Sequence, residues 1–139
     1  MIKNIILNQT TLNGNKFKSE KLVYKSLKKT QKINKKKNFK ELIKTSVINS
    51  SPIFYLKSIK RKRRKTTEFP FMLAKKLRIG YSVKFLLHYS NKSKNSSFYN
   101  RFNLELLNSC KKSSQSFKKK ETIYKETFLK KKFSNYRWF

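Results

Sequence analysis

Apolar and polar positions alternate along this chain with two different periods. The helical period is clearest from Asn38 to about Asn49, where Phe39, Leu42, Ile43, Ser46 and Val47 fall at i, i+3, i+4, i+7 and i+8. Asn38 can cap that helix, and Ser50-Ser51-Pro52 ends it, because a residue before proline avoids helical backbone. A helix over about Lys16–Lys32 carries Phe17, Leu22, Val23, Leu27 and Thr30 on one side, with Ser19 and Glu20 favouring its entry. Residues 1–9 close a shorter helix, and Asn13-Gly14 marks the turn between the two. Later helices are predicted over about Arg78–Tyr89 (Ile79, Val83, Leu86, Leu87 inward) and Ser97–Cys110 (Tyr99, Phe102, Leu106, Leu107, Cys110 inward). A last one spans about Lys118–Ser134, with Ile123, Tyr124, Phe128 and Leu129 inward. Asn91–Asn95 and Ser113–Ser116 read as polar loops.

The strand period appears once. Ile53–Leu56 and Phe69–Leu73 are two β-prone arms flanking a polar stretch, which predicts a β-hairpin over residues 53–73. Pro70 lacks an N–H and puts its strand at an edge. A two-stranded ribbon is marginal by itself and must lean on the helices. The expected architecture is therefore mainly α: a single domain over residues 1–139, five to six helices, with one protruding hairpin between the third and fourth.

Charge changes this picture most. Lys and Arg number 37 against six acids, all Glu, for a formal net charge of +31. Self-repulsion at that charge opposes compaction, so firm structure is expected on an anionic partner. The row Lys60, Arg61, Lys62, Arg63, Arg64, Lys65, preceded by Lys57, joins the hairpin arms. Neighbouring strand residues point to opposite faces, so the row charges both faces of the ribbon tip. Folded RNA, with phosphate on either side, fits such a ribbon. Arg61, Arg63, Arg64 and Arg78 can fork onto phosphate, while Lys acts as a point charge. The plainer alternative is a nuclear-import patch or a solvated loop.

Other chemistry is thin. One Cys (Cys110) excludes an intramolecular disulfide, and one His (His88) without any Asp leaves no zinc set and no Ser/His/Asp triad. Glu121 and Glu126 are five apart and diverge on a helix, and Gly14 and Gly80 are isolated. No enzyme and no cofactor are expected. No apolar run approaches the roughly 18 residues of a membrane span. The opening Met1–Leu7 is too short for a signal core and lacks the features of an import leader. Lys, Asn, Phe, Ile and Tyr abound while Ala occurs once, a bias matching AT-rich codons and an organellar genome; it also makes codon drift the alternative source of any single Lys.

Three stretches resemble the small-subunit ribosomal protein seven family. Asn13-Gly14-Asn15-Lys16 through Leu22-Val23-Tyr24-Lys25-Ser26-Leu27 is similar to its Asp-Gly-Lys-Lys loop and Ile-Val-Tyr-x-Ala-Leu helix. Ser51-Pro52 through Leu56-Lys57-Ser58 with Phe69-Pro70-Phe71 resembles its Arg-Pro…Val-Lys-Ser…Val-Pro-Val hairpin, and Phe133-Ser134-Asn135-Tyr136-Arg137-Trp138 its closing Phe-Ala-His-Tyr-Arg-Trp. The resemblance implies six helices with a hairpin between the third and fourth. It implies binding of small-subunit rRNA in the head (the 3′ major domain), neighbouring head proteins, and a hairpin near the exit-site tRNA and the mRNA path. Against the family pattern the first helix reads as shortened and the basic N-terminal arm as missing.

The family's RNA-facing surface adds Lys16, Lys75, Lys76 and Lys84 as candidate rRNA contacts. Lys118, Lys119 and Lys120 read as a helix start, where bound phosphate would relieve their conflict with the macrodipole. Tyr136, Arg137 and Trp138 either stack on a base, with Arg137 on RNA, or staple the last helix to the core. The resulting expectation is a structural rRNA-binding protein of a mitochondrial small ribosomal subunit, or of a plastid-type one. Its rivals are an architectural DNA-binding protein of an AT-rich nucleoid and a cationic membrane-surface protein.

Overall fold

The computed structural model describes residues 2–34, 38–60, 66–92 and 96–135. Six helices run in the order α1 (Ile2–Thr10), α2 (Lys16–Ile33), α3 (Phe39–Ser50), α4 (Lys75–Lys92), α5 (Phe98–Cys110) and α6 (Gln115–Leu129). Strands β1 (Phe54–Ile59) and β2 (Thr67–Met72) form an antiparallel hairpin between α3 and α4, and a 3₁₀ turn (Lys131–Phe133) follows α6. The expected mainly helical architecture with one hairpin is the one observed.

Helix boundaries follow local chemistry, with corrections. At the α1–α2 turn, Asn13 and Gly14 take φ of 51° and 73°, left-handed backbone that Asn tolerates and Gly enters freely. Asn15, not Ser19, caps α2: its Oδ1 accepts from Lys18 N–H at 3.2 Å. Ser19 is buried and donates to the Lys16 carbonyl instead. Asn38 stands at the start of α3 but makes no side-chain cap; the Phe39 N–H donates to Gln31 Oε1 of α2 at 2.7 Å. Ser51, extended at ψ 121° before Pro52, stops α3 as expected. Helix α4 begins three residues earlier than its stripe suggests. Arg78 N–H bonds the Ala74 carbonyl, and Arg78 Nε donates to the Leu73 carbonyl at 2.8 Å, so Lys75–Leu77 complete a first turn. Its last residues, Asn91 and Lys92, are helical where a loop is expected.

The core is built by Ile6, Leu7, Val23, Leu27, Val47, Val83, Leu86, Leu87, Phe102 and Leu106. Helix α5 lies at its centre, packed on α2, α3 and α4, with Phe102 fully buried. Serines share the helix crossings. Ser26, Ser46, Ser50, Ser82 and Ser109 are all 0% exposed. Each hydroxyl finds a carbonyl: Ser26 and Ser46 bond their own helix, while Ser82 reaches Val47 of α3 at 2.9 Å and Ser109 reaches Ser46 at 3.0 Å. A small residue is needed where backbones approach, and in a chain with one Ala that place falls to Ser.

Four expected inward aromatic and aliphatic positions fail, Phe39 by the least at 37% exposed. Phe17 is 67% exposed, with Lys21 Nζ 4.3 Å above its ring. Phe128 and Leu129 are 74% and 78% exposed, because α6 turns Ser116, Ile123 and Thr127 inward.

The hairpin pairs Phe54 with Met72 through Ile59 with Thr67, placing Pro70 opposite Leu56. Its base is braced by α6 and the turn after it. Tyr124 Oη accepts from Ile53 N–H at 2.9 Å, Phe54 meets Tyr124 edge-on, and Phe69 meets Phe133 at 5.5 Å. Glu68 pairs with Lys130.

Candidate nucleic-acid interface

The cationic candidates divide by what their side chains already hold. On the hairpin, Lys57 is exposed in the distal half of β1 and Lys60 is exposed directly after its end. Arg61, Lys62, Arg63, Arg64 and Lys65, which join the strands, lie outside the described residues, as do Tyr136, Arg137 and Trp138. Lys75 and Lys76 are exposed in the first turn of α4, directly after β2, so they share the hairpin's base. Arg78 spends Nε on the Leu73 carbonyl, a bond that fixes the exit from the hairpin and uses only one of its donors. Lys16 stands exposed at the start of α2, a different element from the hairpin base.

Lys118, Lys119 and Lys120 need correction. They do not start a helix, because α6 begins at Gln115. Its N-terminus is satisfied from within: Ser114 Oγ accepts from Phe117 N–H at 3.1 Å, and the Glu105 carboxylate accepts from Ser116 N–H at 3.0 Å. A carboxylate there already answers the macrodipole, so no phosphate is called for. The three lysines then diverge. Lys118 is exposed and Lys119 half-buried. Lys120 donates to the Asn49 carbonyl in the last turn of α3 at 2.9 Å and lies over Phe117 and Tyr124. Burial pushes its pKa down, with nearby Lys112 adding to the effect. Lys120 is thus an internal C-terminal cap rather than a free cation.

Several other lysines are occupied within the fold. Lys3 bonds Tyr24 Oη, and Lys25 and Lys29 stand 4.4 and 5.8 Å from the Tyr99 ring. A hydrogen bond from Ser97, then the charge of Lys25, holds the Tyr99 phenol below its usual range. The abundance of Lys and aromatics thus yields cation–π contacts on the surface of the bundle.

Lys84 and Lys119 behave differently. They stand on α4 and α6 and line one cavity together with Tyr55 of β1 and Tyr81, Phe85, His88 and Tyr89 of α4. Tyr55 and Tyr81 stack with ring centres 4.6 Å apart. In the sequence Tyr55 reads only as a strand residue and His88 only as a packing or surface residue. Tyr81, Lys84 and His88 fall at i, i+3 and i+7, a second stripe on α4 beside its apolar one, and that spacing was the available signal.

Among the described residues no helix is long and apolar enough to cross a membrane. No group of three or more His, Cys, Asp or Glu is placed among them to hold a metal ion.

Residues 1–128 match the family described as ribosomal protein S7p/S5e. The chain belongs to that family. Among its S7p/S5e relatives is the small ribosomal subunit protein uS7 of Helicobacter hepaticus, 26% identical over 132 residues, which span 95% of this chain and 84% of the relative. The proteins of the same name from Campylobacter concisus and Campylobacter curvus are 25% and 26% identical over the same lengths. As an S7p/S5e protein the chain is a structural component of the small ribosomal subunit. Family membership brings rRNA and other ribosomal proteins as partners.

Proposed function

We propose that this protein binds small-subunit rRNA in the head, the 3′ major domain, supports assembly of that domain, and directs its hairpin toward the exit-site tRNA and the mRNA path. The observation that carries this reading is a hairpin braced at its base by α6 whose strands are joined by five consecutive cationic residues, Arg61–Lys65. Bracing fixes direction, and the charge at the far end provides affinity. Lys and Arg displace counterions from phosphate, and the helical scaffold sets the geometry in which they do so. The remaining proposed contacts are Lys16, Lys57, Lys60, Lys75, Lys76, Arg78, Lys84, Lys118, Lys119 and Arg137. The AT-rich codon bias supports a mitochondrial ribosome as the setting.

Binding of a 3′ major domain rRNA fragment by the protein and by an Arg61→Glu/Arg63→Glu/Arg64→Glu variant tests the hairpin. With six to ten phosphate contacts, wild-type affinity falls about 10³- to 10⁵-fold between 50 and 200 mM salt. The variant binds far more weakly and with a shallower salt slope. Equal affinity of variant and wild type removes the hairpin from the interface. Preference for duplex DNA over the rRNA fragment in competition favours a nucleoid role instead. Sedimentation of the protein with mitochondrial small subunits tests the setting.

A further inference from the structure

The cavity shared by β1, α4 and α6 is the one place where the described residues combine stacked aromatic rings, an imidazole and two cations on three separate elements. It has a volume of about 330 Å³ and opens to solvent. Tyr55 and Tyr81 form its wall, stacked at 4.6 Å with 29° between their planes, and Phe85, also lining it, has its ring centre 6.3 Å from that of Tyr81. His88 and Tyr89 meet edge-on at 5.2 Å on the next turn of α4. Lys84 is exposed, Lys119 half-buried, and neither ammonium group has a hydrogen bond or ion pair among the described residues. Lys120, one residue on, by contrast donates to the Asn49 carbonyl. No acid lines the cavity. Burial, then Tyr81 and Glu126, pushes the Tyr55 phenol above its ordinary range, so it remains a neutral donor at physiological pH.

We propose that this cavity holds one unstacked nucleotide of single-stranded RNA, its base against the Tyr55–Tyr81 wall and its flanking phosphates on Lys84 and Lys119. Stacking on aromatic side chains with cations along the backbone is how proteins grip unpaired RNA, and every base offers a π-face, so the site is sequence-tolerant. A duplex cannot enter, because its bases are already stacked. The site rests on the RNA-binding role proposed above and gives it a second mode: phosphate clamping at the hairpin, base capture at its root.

The probe is a single-stranded RNA octamer carrying one 4-thiouridine, photo-crosslinked to the full-length protein. Crosslinks are expected on Tyr55, Tyr81 or His88. Tyr81→Leu keeps apolar bulk and is expected to weaken octamer binding about 5- to 100-fold at unchanged salt slope. Lys84→Gln/Lys119→Gln, both at solvent-accessible positions, is expected to lower the salt slope by about 1.4, two single-strand phosphate contacts. His88→Ala, at an exposed position, serves as a second aromatic variant should Tyr81→Leu fail to fold. Crosslinks confined to other elements, or octamer affinity unchanged in both the lysine pair and His88→Ala, overturn the site. If the wild type then still binds the 3′ major domain fragment in a salt-dependent way, the proposed function stands without it.

Discussion

Asn103 is 1% exposed on α5, and neither atom of its amide has a hydrogen-bond partner among the described residues. An unpaired buried amide costs about 1–3 kcal/mol. Asn103→Leu, which keeps the branching but adds bulk, and Asn103→Ala, which adds none, are therefore both expected to cost less than a buried polar truncation normally does; a large loss in both would mean that the amide is satisfied in solution. The buried serines yield a sharper pair. Ser26 bonds only its own helix, so Ser26→Ala loses little and gains helix propensity; a change within about 0.5 kcal/mol is expected. Ser82 donates across to α3, so Ser82→Ala leaves the Val47 carbonyl short of a partner and costs about 1 kcal/mol. Urea melts of the two variants check the difference. These positions were hard to read from sequence, since serine scores as polar and its core role depends on which backbone lies opposite. Phe17, Phe128 and Leu129 show the converse error: apolar residues read as core that the helix faces turn outward.

At the scale of elements, the proposed RNA contact depends on the hairpin and its brace. Tyr124→Phe keeps the ring against Phe54 and removes the bond to Ile53 N–H, at a cost of about 1 kcal/mol. Faster amide exchange confined to β1 and β2 is the expected signature, and unchanged exchange would show that α6 does not hold the hairpin. The hairpin itself was legible because its arms are rich in β-branched and aromatic residues, and Pro70 interrupts any helix there while an edge strand accepts it. The helices were legible from their periodicity, but their ends were not. The start of α4 depends on Arg78 bonding back to Leu73, and that of α6 on Glu105 arriving from α5. The first is a side-chain bond to a residue just outside the helix, and the second is a tertiary contact. Lys120 looks like its neighbours in sequence, and only the position of the α3 C-terminus makes it a cap. The Tyr55–Tyr81 wall joins residues from two elements and leaves no local mark.

At the scale of the whole molecule, a charge of +31 on a small core sets the terms. Repulsion destabilises the free protein, and screening relieves it. The thermal midpoint of the free protein should rise as salt increases from about 10 to 300 mM, where the Debye length shrinks from about 30 Å to below 10 Å. It should rise further with a stoichiometric 3′ major domain RNA fragment, which binds the folded form more tightly than the unfolded chain. A salt-independent midpoint would mean that the cations are not acting on one another. The central claim is that the hairpin meets rRNA in the head of the subunit, and directed hydroxyl-radical probing tests it most directly. Cys110→Ser removes the one native thiol, and Lys60→Cys carries tethered iron to the end of β1 in assembled small subunits. Cleavage of the rRNA concentrated in the 3′ major domain is the predicted result; cleavage absent there, or centred on another domain, would contradict the account.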